Sequence, residues 1–323
     1  MSGFNGGFLR PTKNRGSFIP MYWGDGSDGV LTAGDVYHAG TDYVTYSDLC
    51  IKQFSQINWD PATPETLTVD KQCRGLVIFV NGDAYIGTNA KISMSKLSST
   101  LPVSPEVFLE MYGDSVQMRH IVDTLKTLRG GEGGDGGNDQ GSDYLGGTHG
   151  PGRICQGAFG AGGASSTGNG GSTTEPELLG WPGLSYGVSS VGSFGGAYGY
   201  HGTPAKYGGG GASTGGSANP GGVGASGEPP GGFILFIVKG TLMIAGAIDI
   251  EGGPGGNART DGGGGDGGGG GGNGGGVFAA FAGTAVDISS ATINKSGGPG
   301  GTSISGGNGT GGQQGTTYTE SLS

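Results

Sequence analysis

The chain of 323 residues is only 33% hydrophobic and 13% charged, and its formal charge is −10. That composition argues against one large aliphatic core running through the whole chain. The acidic balance, with no clustered Lys/Arg, argues against nucleic acid and against an anionic membrane surface as partners.

Residues 1–30 scatter Gly, Pro and Asn between isolated aromatics. So little self-burial is available there that this segment is expected to attach to a partner through Phe4, Phe8, Tyr22 and Trp23. The opening Met-Ser-Gly-Phe-Asn-Gly-Gly has no charged n-region and no apolar h-region, so no secretory signal is expected. Residues 31–129 read as a β-rich domain. Short strands and turns fill 31–74, with alternation at Tyr43-Val44-Thr45-Tyr46 and at Leu67-Thr68-Val69. Cys50, Cys73 and Cys155 are odd in number and widely spaced, which suits free thiols assembled in a reducing cytoplasm better than a disulfide framework.

A repeat begins at residue 76. Leu76-Val-Ile-Phe-Val80 is followed by Gly82, then Ala84-Tyr-Ile86, then Ala90-Lys-Ile-Ser-Met94. The same order returns at 233–250 and at 277–293, and these two copies share the ending Gly-Gly-Pro-Gly-Gly. Units of this kind cannot bury an apolar face alone and must stack. Between the first and second copies lies a helical insertion, 104–128. Ser104 and Pro105 open its first helix, Gly113 breaks it, and Asp114 or Ser115 caps a second. Val116, Ile121, Leu125 and Leu128 are expected on one face of that second helix. The most apolar stretch, 233–250, contains Lys239, Gly240, Gly246 and Asp249, so no membrane insertion is expected.

From residue 130 onward 68 of 194 positions are glycine, against 13 in the first 129. Ordering such a segment costs much backbone entropy. Collagen is rejected because runs such as Gly262–Gly265 and Gly267–Gly272 break its period. A flexible linker is the bland alternative. A bundle of polyproline-II-like glycine strands is the expectation, since their N–H and C=O groups can bond laterally wherever no Cβ intervenes. The expected fold is therefore mainly β: stacked, β-solenoid-like strand repeats plus a polyglycine-II strand bundle, with a short helical insertion. The glycine-rich domain spans 130–312 with distal loops, and 313–323 is read as a C-terminal tail.

One segment stands out among the loops. Trp181, Tyr186, Phe194, Tyr198, Tyr200, His201 and Tyr207 lie within 27 residues, separated largely by glycine and serine. Tyr and Trp on Ser/Gly loops give a large contact area at low entropy cost, so these are candidate receptor-binding residues. The alternative is that the rings cap the ends of glycine strands and shield them from water.

Gly-Gly blocks at 130–137, 208–211, 262–276 and 297–301, flanking aromatic segments, give residues 130–312 a composition that resembles the glycine-rich tip adhesins of bacteriophage tail fibres. In that family an N-terminal part attaches to the fibre, and a polyglycine-II sandwich presents distal loops to the bacterial surface. The helical insertion and the apolar repeats depart from the family. The resemblance implies a non-enzymatic virion protein of the tail or tail fibre, assembled in the host cytoplasm. Its partners would be other virion proteins and a bacterial surface glycan or outer-membrane protein, and a homotrimer is compatible with a fibre. A purely structural virion component is the first alternative, and a surface-polysaccharide depolymerase the second.

Chemistry is weakly signalled. Gly-x-Gly-x-x-Gly matches are expected by chance at this glycine density. His38, His120, His149 and His201 lack metal-ligand spacing. Asp135, Asp139 and Asp143 could hold a cation as loop carboxylates, yet polar solubilisation explains them as well. Glu175/Glu177, Asp249/Glu251 and Asp261/Asp266 are the available carboxylate pairs, and none comes with further catalytic groups. No catalytic residue, metal site or cofactor is expected.

Overall fold

The computed structural model describes residues 20–37, 43–44, 49–99, 103–138, 148–161, 163, 213–214, 228–257, 259–260, 268–303 and 307–322. The described chain is mainly β, with three parallel sheets and two helices.

The strands come in rounds. A first round holds β1 (Val30–Leu31), β2 (Val36–Tyr37) and β3 (Tyr43–Val44), and a second holds β4 (Leu49–Phe54), β5 (Gln56–Trp59) and β6 (Glu65–Val69). The third is β7 (Gly75–Val80), β8 (Ala84–Ile86) and β9 (Ala90–Ser93). Helices α1 (Val107–Tyr112) and α2 (Val116–Thr127) and the two-residue β10 (Ser213–Thr214) intervene. The fourth round is β11 (Phe233–Val238), β12 (Thr241–Ile244) and β13 (Ala247–Asp249), followed by the short β14 (Arg259–Thr260). The last strands are β15 (Val277–Ala282), β16 (Ala285–Asp287), β17 (Thr292–Asn294) and β18 (Thr316–Ser321).

Each round visits the same three sheets. The first sheet runs β18-β15-β11-β7-β4-β3, the second β1-β5-β8-β12-β16, and the third β17-β13-β9-β6-β2. All their pairings are parallel except β3 with β4. The repeat read from sequence is thus in register across strands: Leu76 opposite Ile234 and Ile234 opposite Phe278. Two members had escaped that reading. Residues 49–69 form a full round of their own, and Thr316–Ser321 pairs along β15 as an edge strand.

The first sheet is covered on both faces, which explains its unbroken apolar runs. Ile234, Phe236 and Val238 point into the space between the three sheets, together with Leu76, Ile78 and Val80. Phe233, Leu235 and Ile237 point the other way, onto Phe108 of α1 and Met118, Ile121, Val122 and Leu125 of α2. Gly113 ends α1 at φ 86, as its place between the helices suggests. Ser115 caps α2 by accepting from the Met118 N–H at 3.1 Å. Val116 departs from the expected apolar face and is 75% exposed. It occupies the first turn, two residues ahead of Met118, where the buried stripe begins. Ser115→Ala should cost about 1 kcal/mol, read as a lower urea midpoint with an unchanged slope.

All three cysteines are free and buried. Burial pushes the Cys155 thiol well above its ordinary range. Among the described residues no helix is long and apolar enough to cross a membrane.

Candidate functional site

The glycine-rich runs extend directly from the sheets. The run 228–232 leads into β11, 268–276 into β15 and 307–315 into β18, while 250–257 follows β13 and 295–303 follows β17. The run 130–138 follows α2. After the connection 139–147, the chain returns along 148–152 and turns at 153–156 into a further run, 156–163.

The run 268–276 is central and wholly buried. Every N–H from Gly269 to Gly276 donates to a neighbouring run, in a rotation of three. Gly269, Gly272 and Gly275 donate to the carbonyls of Gly307, Thr310 and Gln313. Gly270, Asn273 and Gly276 donate to Gly256, Gly253 and Ile250, and Gly271 and Gly274 donate to Ala161 and Ala158. Its carbonyls accept with the same spacing: Gly131, Gly134 and Gly137 donate to Gly275, Gly272 and Gly269, and Gly298 and Gly301 donate to Asn273 and Gly270. Gly231 donates to Gly274, which makes six neighbours in all. Backbones surround the run, and among its nine residues only Asn273 carries a side chain. A Cβ on Gly271 would fall inside the Gly134 carbonyl, and one on Gly274 inside that of Gly131.

Three of the outer runs, 130–138, 250–257 and 295–303, read Gly-Gly-X. In 130–138 the X positions are Glu132, Asp135 and Asn138, which face outward while Gly131, Gly134 and Gly137 are buried. Asn273 is the one non-glycine of the central run. Its amide Nδ2 donates to the Glu228 carbonyl at 2.5 Å and to that of Gly253 at 3.0 Å, and its Oδ1 accepts from the Gly160 N–H at 2.9 Å.

The register fixes where the connections lie. Gly137, Gly163, Gly256, Gly301 and Gly307 all sit level with residues 268–270. The runs that end at 138, 163, 257 and 303 and those that begin at 268 and 307 therefore share the end remote from the sheets. Ser213–Thr214 of the long insertion pairs with Arg259–Thr260 of the neighbouring connection. Polar side chains brace this end: Thr302 N–H donates to Asn257 Oδ1 at 2.8 Å, and Ser303 N–H to Asn308 Oδ1 at 2.7 Å. Asp135 Oδ1 lies 2.8 Å from both N and Nδ1 of His149.

A second feature lies on the flank, beside the third sheet. There a groove of about 830 Å³ runs between the turn at Asp70, Lys71 and Gln72, the turn at Ser95, Lys96 and Leu97, and the incoming Glu228 and Pro229. Thr68 and Ser93 also line it, and Thr68 Oγ1 donates to the Ser93 carbonyl at 2.9 Å. Lys96 holds a left-handed φ of 57, and its ammonium reaches Glu228 at 2.6 Å. Bonding to that carboxylate raises the Lys96 ammonium above its ordinary range.

The seven aromatic and histidine candidates, Trp181, Tyr186, Phe194, Tyr198, Tyr200, His201 and Tyr207, lie outside the described residues, as do Phe4 and Phe8. Tyr22 and Trp23 pack within the chain itself. Tyr22 stacks on Tyr112 at 4.6 Å and meets Phe79 edge-on at 5.5 Å, and Trp23 is half-buried against the same cluster. Of the carboxylate pairs, Glu175/Glu177 and Asp261/Asp266 lie outside the described residues. Asp249 is engaged with Lys91 at 3.2 Å and with Asn294 at 3.1 Å. Asp139 and Asp143 are also outside. Among the described residues no three His, Cys, Asp or Glu side chains come together as a metal site. The groove residues were missed by sequence reasoning, because they are isolated polar positions on turns joined only by the stacking of rounds.

No protein-family model matches the chain, and no curated protein and no solved structure matches it either.

Proposed function

We propose that this chain is a non-enzymatic bacteriophage virion protein, a tail-fibre or tip adhesin. On this reading the three sheets are a β-solenoid-like coil, and the glycine-rich runs are a polyglycine-II bundle growing from one of its corners. Hydrogen bonds repeating every third residue, to neighbours on all sides of 268–276, support the bundle. The single observation that carries the function is that the runs ending at 138, 163, 257 and 303 and those beginning at 268 and 307 share the end remote from the sheets. A rigid scaffold that gathers its loops at one tip suits recognition, and the longest loop holds Trp181 and Tyr200. The receptor would be a bacterial surface glycan or an outer-membrane protein loop.

A purely structural virion role is the second reading. It is favoured by Val286, Ile288 and Ile293, which line the last round and stay only partly covered, as a surface awaiting a neighbouring component would. The double variant Trp181→Ala/Tyr200→Ala separates the two. Intact particles that adsorb to host cells at least about tenfold more slowly support the adhesin. Failed particle assembly supports the structural role, and normal adsorption by intact particles sinks the adhesin reading.

A further inference from the structure

We propose that the flank groove beside the third sheet binds an extended, hydroxyl-rich polysaccharide chain of little net charge. The inference rests on the adhesin reading and names a second contact surface for the same receptor class.

Three observations select this ligand. The groove's charges balance, Lys71 and Lys96 against Asp70 and Glu228, so a polyanion such as nucleic acid gains no net attraction there. Leu97 and Pro229 are the only apolar residues of the ten that line it, too few to form an extended hydrophobic wall for an aliphatic ligand. The strands on its floor are interior ones: β6 is paired to β2 and β9, and β9 to β6 and β13. No free edge is therefore offered to which a peptide strand could add. What remains is a row of hydroxyls, carboxylates and ammoniums able to exchange many modest hydrogen bonds with a ligand carrying donors and acceptors along its length. On the outward face of the same sheet that row continues from Ser93 to Asp249 and Asn294, one residue per strand, spaced at about 4.8 Å.

Position supplies the link to the receptor. Glu228 and Pro229 are the first described residues after the aromatic insertion 164–227. In sequence, then, the groove follows directly on the candidate receptor-binding segment. Lys96 and Glu228 stand across its width, tied at 2.6 Å, and either can turn to a sugar hydroxyl without burial, since both are more than a third exposed.

The test uses the full chain on an array of bacterial surface polysaccharides, followed by surface plasmon resonance with the best-retained soluble polysaccharide. Ser95→Trp should fill the groove and raise Kd by about tenfold or more. Glu228→Gln, which keeps size and polarity, should raise it about threefold, with both melting temperatures unchanged. A folded Ser95→Trp protein of unaltered affinity overturns the proposal, and so does an array that retains no polysaccharide. The Trp181→Ala/Tyr200→Ala variant is run on the same surface. If it alone abolishes polysaccharide binding, the groove fails and the adhesin reading stands. If adsorption ignores that variant while Ser95→Trp still weakens binding, the loop reading fails and the groove stands.

Discussion

Gly271→Ala is expected to destabilise the protein by about 3 kcal/mol or more, lowering the melting temperature by roughly 5–10 °C. The added Cβ would coincide with the Gly134 carbonyl, and the neighbouring backbone is hemmed in by other runs, so relief requires several of them to shift together. Gly274→Ala should behave alike, through Gly131. Gly311 is the control. A Cβ there meets its nearest atom at 3.4 Å, whereas on the adjacent Gly312 it would overlap the Asn273 carbonyl. Gly311→Ala should leave the melting temperature within about 2 °C of the parent, and Gly312→Ala should not. Equal responses at 311 and 312 in a calorimetric scan would refute close backbone packing as the reason for the glycines.

The second large effect is expected at Asn273. Replacing it with alanine strips the Gly160 N–H and the Glu228 carbonyl of buried partners, at a cost of about 2–5 kcal/mol. Asn273→Asp sets a second oxygen where the amide donated to Glu228 and Gly253, and buries a carboxylate. Its folded-state pKa must then lie above the unfolded value of about 4. The protonated acid can still donate, so the defect is least below about pH 4 and grows by up to about 1.4 kcal/mol per pH unit above it, until the folded-state pKa is passed. Melting temperatures of Asn273→Asp and parent measured from pH 4 to 8 should diverge as pH rises. Parallel curves would contradict the buried amide network.

Much of the sheet architecture was legible because burial on both faces leaves continuous apolar runs, as in Phe233–Val238 and Val277–Ala282. The round at 49–69 was obscured by Lys52 and Gln53, which interrupt β4 where it nears the first end of the stack. Lys52 lies over the Tyr37 ring at 4.4 Å and pairs with Asp28 at 3.8 Å. Thr316–Ser321 went unread for a different reason. As an edge strand with little of its surface covered, β18 can be built from Thr, Tyr, Glu and Ser. The Gly-Gly-X triplets announced close backbones, and the centre was legible too, since 268–276 is all glycine apart from Asn273. What sequence spacing could not convey is the groove. Thr68, Ser93, Lys96 and Glu228 are brought together only by parallel stacking and by the return of the chain after a long excursion.

The central run also constrains how the protein is made. When Gly276 leaves the ribosome, the segments ending at 138, 163, 232 and 257 have already emerged, whereas 295–303 and 307–315 have not. Gly269, Gly272 and Gly275 must therefore wait for Gly307, Thr310 and Gln313, so the innermost piece of this chain is among the last to become fully clad. Premature termination before Gly307 would strand a row of bare amides at its heart.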